Sequence, residues 1–141
     1  MWDAFKHVLF KPLFVFPLFA ASVLYYMFSG VQFWMTDFMI VKLRMETKNA
    51  QLIFGAVNLT APSLGVIIGS ILTKYIGGPR SPLVLPMCLI FGTMAFVFGY
   101  PISFLTNIGV FVLFFWFSMF FGFFLLPGLS GVLLSSVGDK Y

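Results

Sequence analysis

The chain has 141 residues, of which 61% are hydrophobic and only 9% are charged. An average soluble domain carries about 25% charged residues, so this composition excludes a soluble globular domain, and its hydrophobicity excludes disorder. The net charge of +4 comes from basic residues that are spread between apolar runs, which excludes a nucleic-acid-binding patch and predicts an integral membrane protein with the lipid bilayer as its surroundings.

Four long apolar runs follow one another with short connections between them. They predict membrane-spanning helices at 13–41, 52–75, 83–100 and 108–136, in a single membrane domain over residues 1–141. A β-barrel would instead show segments of about ten residues with alternating polarity, and none is present in the sequence. The predicted fold class is therefore all-α, a polytopic membrane helical bundle with four transmembrane helices.

The connections and breaks between these runs also follow from the sequence. Lys6, His7 and Lys11 precede the first run, but its apolar stretch continues well beyond the about 7–15 residues of a signal peptide. The second run closes at the segment GGPRSP (77–82), where glycine and proline predict a turn. Pro127, inside the fourth run, predicts a kink there.

The distribution of lysine and arginine predicts how the helices are oriented. The basic residues fall into two groups on opposite sides of the membrane, Lys6, Lys11, Lys74, Arg80 and Lys140 on one side and Lys42, Arg44 and Lys48 on the other. Because the larger group normally faces the cytoplasm, both termini are predicted to be cytoplasmic. The sequence does not indicate which membrane holds the protein.

A line of polar side chains runs along the first predicted span. Tyr25, Ser29, Gln32 and Thr36 recur at helical spacing, so they share one side of the helix. We call this line the polar stripe. Polar groups at membrane depth face either a bundle interior or a water-filled cavity. The stripe therefore has two interpretations, hydrogen bonding to a solute or hydrogen bonding to neighbouring helices.

Four further residues in the first two spans have a predicted role. Asp37 is the one acidic residue within an apolar run, and it is predicted as an anchor at the membrane interface, with ion or proton coupling as the alternative. Asn58 shares a stripe of the second span with Gly65 and Gly69. The Gly65-x-x-x-Gly69 spacing predicts close packing against another helix.

The sequence carries no pattern typical of an enzyme. His7 is the single histidine, and Cys88 is the single cysteine, predicted as a small apolar residue of the core. Paired carboxylates at helical spacing and phosphate-binding glycine loops are both missing from the sequence. No catalytic residue, metal site or cofactor is predicted.

The order of these features resembles part of a major facilitator superfamily transporter. The stretch SGVQFWMTDFM (29–39) is similar to the seventh helix of Spinster-like and protist members. The stretch APSLGVIIG (61–69), followed by Lys74, Gly77 and Gly78, looks like the eighth helix and the loop after it, although Thr73 and Lys74 replace the Asp-Arg of the family signature. LPGLSG (126–131) is similar to the end of the tenth helix.

The resemblance implies a partial major facilitator fold, corresponding to helices seven to ten of the C-terminal half. In that fold the solute site lies between two halves that rock against each other. The resemblance therefore implies that Tyr25, Ser29, Gln32 and Asn58 bind a small-molecule solute, with Asp37 as a possible coupling residue. It also implies that the missing transporter helices, or another membrane subunit, are partners of this chain.

Two functional hypotheses follow from the sequence. In the first, the chain takes part in transmembrane transport of a small solute, as a truncated C-terminal half of a transporter. In the second, it is a non-transporting scaffold subunit whose 21 phenylalanines help it pack within a larger membrane complex. Uptake of a solute favours the first, and stoichiometric co-purification with a large assembly favours the second.

Overall fold

The computed structural model describes residues 12–138, with side-chain surroundings described over 14–135. Lys6, Lys11 and Lys140, which contribute to the predicted orientation, lie outside the described residues. The described chain forms helices α1 (Pro12–Val41), α2 (Thr47–Tyr75), α3 (Val84–Gly99) and α4 (Ile108–Gly138), with a short 3-10 helix, η1 (Tyr100–Phe104), between α3 and α4. Residues 12–138 contain no strand, so the predicted all-α class with four long helices is confirmed.

Each of the four helical segments is long and apolar enough to cross a membrane. The apolar helical segments are Phe14–Val41, Thr47–Tyr75, Val84–Phe104 and Ile108–Ser135, of 28, 29, 21 and 28 residues. A span needs about 20 residues, so α3 reaches this length only together with η1. The chain is therefore an integral, multi-pass membrane protein.

The ends of the helices differ in places from the ends of the apolar runs. Helix α2 begins at Thr47, whereas the apolar run begins at Leu52, because its first polar turn belongs to the helix without adding hydrophobicity. Gly77 and Gly78 have φ angles of 105° and 82°, a left-handed backbone that glycine adopts without strain, and they form the predicted turn. Helix α4 continues without interruption through Pro127.

Helix α4 lies at the centre, and the other three helices pack around it. Phe111 and Phe115 are completely buried, and Phe124 is almost so. Aromatic ring pairs join α4 to each neighbour: Phe28 of α1 with Phe123 at 4.0 Å between centroids, Phe54 of α2 with Phe115 at 6.3 Å, and Phe98 of α3 with Phe117 at 5.3 Å. A helix that is apolar on every side is expected in such a central position.

Candidate functional site

The polar stripe of α1 does not face α4. Tyr25 is 59% exposed, and Ser29 and Gln32 are also exposed. The buried side of α1 carries Phe28 and Met39 instead. At 3.6 residues per turn, the centre of the stripe lies about 60° around the helix from Phe28 and Met39. It is therefore available to groups outside this four-helix bundle.

The members of the polar stripe differ in their hydrogen bonding. The Ser29 hydroxyl donates to the Tyr25 carbonyl oxygen at 3.0 Å, one turn earlier in the same helix. Gln32 makes no side-chain hydrogen bond to any of the described residues. An amide group has two donors and an acceptor to satisfy, and it lies here well inside a membrane span. Gln32 is thus the stripe residue that most needs water, a solute or a further polar partner.

Asn58 lies in α2, at a depth similar to that of Ser29 in α1. It is half-buried in α2, and its amide nitrogen donates to the Phe54 carbonyl oxygen of the same helix at 3.0 Å. Its helical position places it on the side of α2 that carries Gly65 and Gly69. No described hydrogen bond connects it to the polar stripe. Three of the four predicted solute-contact residues thus share one side of α1, and the fourth, Asn58, lies in α2.

Gly65 and Gly69 form the closest approach between α2 and α4. A Cβ atom added to Gly65 would lie 2.5 Å from the backbone carbonyl oxygen of Phe120. At Gly69, the nearest atom to such a Cβ would be the carbonyl oxygen of Phe124. Backbone atoms cannot move aside as a flexible side chain can, so only glycine fits at either position in this arrangement.

Asp37 is exposed near the end of α1, within two turns of the connection to α2. No ion pair to it is found among the described residues. The nearby Lys42 binds elsewhere: its Nζ donates to the Ser103 carbonyl oxygen of η1 and lies 5.1 Å from the centre of the Phe38 ring. Among these charged side chains, it is thus Lys42 that joins the α1 end to η1.

The polar contacts that α4 makes with its neighbours were not predicted from the sequence. The Trp116 indole nitrogen donates to the Thr60 hydroxyl oxygen of α2 at 3.0 Å. The Ser118 hydroxyl donates to the Ala95 carbonyl oxygen of α3 at 3.1 Å. Both donors lie in the most apolar of the four runs, where a hydrogen-bonding group requires a partner. A hydrogen-bonding side chain that stands alone in an apolar run is therefore the sequence signal that could have predicted these two contacts.

Among the open depressions that the described residues form, two border α1, and none of the four predicted solute-contact residues lines either of these two. The larger, of about 540 Å³, lies between α1 and α3; we call it the α1–α3 groove. The smaller, of about 370 Å³, lies between α1 and η1 and is lined by Tyr26, Trp34 and Phe38 among others.

The described residues contain no group of three or more His, Cys, Asp or Glu side chains that could hold a metal ion.

Comparison with known proteins identifies the family. A sequence model of the Organic Anion Transporter Polypeptide (OATP) family matches residues 1–109, which include α1, α2, α3 and η1. No curated protein and no solved structure matches the chain. The match covers well over half of the sequence and includes three of the four membrane-spanning segments. The chain therefore belongs to the Organic Anion Transporter Polypeptide (OATP) family of membrane transporters.

Proposed function

We propose that this protein moves an organic anion across a membrane as part of a transporter of the major facilitator type. The family match over residues 1–109 is the observation that carries this proposal, and the name of the family supplies the class of solute. The four spans would correspond to helices seven to ten of the C-terminal half. A Spinster-like subtype stays a prediction from the resemblance alone.

The polar stripe supports a solute path that runs along the exposed side of α1. Tyr25, Ser29 and Gln32 are exposed rather than packed on α4, and a glutamine amide turned toward hydrocarbon would be costly. A water-filled cavity between α1 and further transporter helices would remove that cost. In this proposal Gln32 and Ser29 contact the solute, and Asn58 supports the α2 side of the bundle rather than touching the solute with them.

The charges of the described residues favour an anionic solute. Five cationic side chains (Lys42, Arg44, Lys48, Lys74 and Arg80) stand against two carboxylates, Asp37 and Glu46. The cations occupy the connections at both ends of α2, so each mouth of a path beside the bundle would be positive. A positive mouth raises the local concentration of anions and steers them inward.

Dye uptake tests the proposed function. Cells that express the protein are compared with cells that do not, using the anion carboxyfluorescein and the cation rhodamine 123, which share a similar ring system. We expect protein-dependent accumulation of the anion only. Equal accumulation of both dyes, or of neither, would contradict anion transport, and co-purification with a large assembly in the absence of uptake would favour the scaffold hypothesis.

Cysteine accessibility tests the proposed path. In a Cys88→Ser background, Ser29→Cys and Gln32→Cys are expected to react with the water-soluble thiol reagent sulfonatoethyl methanethiosulfonate. Carboxyfluorescein is expected to slow this reaction, because it would occupy the same path. Val23→Cys is the matched control, because Val23 is exposed on the same helix but lies on a side well away from the stripe. Equal reactivity at all three positions would place the path elsewhere.

A further inference from the structure

The α1–α3 groove is an apolar depression that the four helices leave open. Its walls include Phe16 and Leu24 of α1 and Leu85 and Phe96 of α3, and its floor includes Leu125 and Leu129 of α4. Helices α1 and α3 both pack on α4 but make no substantial contact with each other, so the groove is the gap between them. Thr93 and Cys88 are the lining residues whose side chains carry an oxygen or sulfur atom.

The groove has the length of one bilayer leaflet. Its α3 wall runs from Leu85 to Phe96, which is about 16 Å of helix at the usual rise per residue. The hydrocarbon core is about 30 Å thick, so one leaflet is about half of that. The groove also begins near one end of the bundle, since Leu85 lies in the first turn of α3. An acyl chain that enters from the adjoining leaflet would therefore fill it lengthwise.

The end at which the groove opens is positively charged. Arg80 lies in the turn that precedes α3, and the neighbouring Pro79 packs against Gly131, two residues from the floor residue Leu129. Lys74 lies in the last turn of α2 at this same end. The two described carboxylates, Asp37 and Glu46, lie at the opposite end of the bundle, close to the connection between α1 and α2. Lys74 and Arg80 together make this end of the bundle attractive to an anionic headgroup.

We infer that the α1–α3 groove binds an anionic glycerophospholipid, with one acyl chain between α1 and α3 and the phosphate near Arg80. Basic pockets between transmembrane helices are suited to such headgroups, and the apolar walls are suited to the chain. The groove lies well over 100° around α1 from the polar stripe at 3.6 residues per turn. Lipid in the groove and solute at the stripe would thus occupy different sides of α1, and this inference does not depend on the proposed function.

Photolabelling tests this site. The purified protein in nanodiscs is exposed to phosphatidylglycerol with a diazirine on its acyl chain, and the labelled peptides are mapped by mass spectrometry. We expect label on α3 around Leu89 and Gly92 and on α4 around Leu125. Gly92→Leu should remove most of it, because the new side chain would occupy the groove, where a Cβ would lie 3.6 Å from Leu125.

Gly55→Leu is the matched control, because a Cβ there would meet no atom within 4 Å and Gly55 lies outside the groove. Its labelling should equal that of the unmodified protein. If Gly92→Leu does not fold, as judged by circular dichroism and elution volume, Leu89→Trp provides a second obstruction at the rim, where Leu89 is 74% exposed. Uniform labelling of lipid-facing residues, unchanged by either obstruction, would overturn the inference.

Headgroup selectivity provides the second measurement. Competition with unlabelled phosphatidylglycerol should reduce labelling of the groove more than competition with phosphatidylcholine. Arg80→Gln should weaken the phosphatidylglycerol competition about fivefold, the usual effect of one basic residue near the surface. Arg44→Gln, at the opposite end, is the matched control and should leave it unchanged. Equal competition by both lipids, or cross-links from groove residues to a second protein chain, would contradict an anionic lipid as the occupant.

Discussion

Gln32 makes no side-chain hydrogen bond to the rest of the described chain, and its amide has more donors and acceptors to satisfy than the hydroxyls of the stripe. Its replacement should therefore affect the solute more than the fold. Gln32→Ala is expected to lower carboxyfluorescein uptake about tenfold, the effect of losing one hydrogen bond to a charged partner. The amount of protein in the membrane should not change. Uptake rates normalised to surface protein measure this effect.

Gln51→Ala is the control for that substitution, because Gln51 is exposed in the first turns of α2, at the edge of the bundle. It should transport like the unmodified protein. If the two variants are indistinguishable in uptake kinetics, Gln32 does not contact the solute.

Gly65 and Gly55 lie in the same helix in opposite steric situations. An alanine at Gly65 would bring its Cβ to 2.5 Å from the Phe120 carbonyl oxygen, whereas at Gly55 it would meet nothing within 4 Å. Gly65→Ala should lower the free energy of unfolding by about 2 kcal/mol through overpacking. Gly55→Ala should change it little or raise it slightly. Denaturation in mixed micelles measures the free energy of unfolding of both variants. Equal values would mean that α2 and α4 can move apart to make room for the new methyl group, against the close contact at Gly65.

At the scale of the helices, a hydrogen bond from Trp116 joins the central helix α4 to α2. Trp116→Phe removes the bond to Thr60 while keeping an aromatic ring, and it should cost about 0.6 kcal/mol of stability, an average value for such bonds in membranes. Trp34→Phe is the control, because the Trp34 side chain is 64% exposed and makes no described hydrogen bond. A larger loss for Trp34→Phe would reverse the expected order and show that packing of the indole outweighs its hydrogen bond.

Sequence periodicity predicted the helices well, because a membrane span is specified by length and hydrophobicity alone. It also placed Tyr25, Ser29 and Gln32 on one side of α1 and Gly65 with Gly69 on one side of α2. It could not determine which side packs, since lipid and protein interior are equally apolar and the hydrophobic pattern carries no direction. For the same reason the central position of α4, its contacts through Trp116 and the α1–α3 groove were not predicted.

At the scale of the whole molecule, the connection between α1 and α2 and the turn between α2 and α3 must lie on opposite sides of the membrane. With the orientation predicted from the basic residues, a membrane-impermeant maleimide should label Lys48→Cys on intact cells in a Cys88→Ser background. Ser81→Cys should react only after the cells are permeabilised. The reverse pattern would show that the larger basic group faces outward, against the positive-inside rule.

The central position of α4 has a consequence for how the protein is made. Residues 108–138 leave the ribosome after the other three spans, yet α1, α2 and α3 pack mainly on the surface that those residues provide. The first three spans must therefore wait in the bilayer as largely independent helices, which lipid tolerates because each satisfies its own backbone hydrogen bonds. Assembly would then be a late and concerted step, and a chain arrested before α4 would offer three unpartnered helices to the cell's quality control.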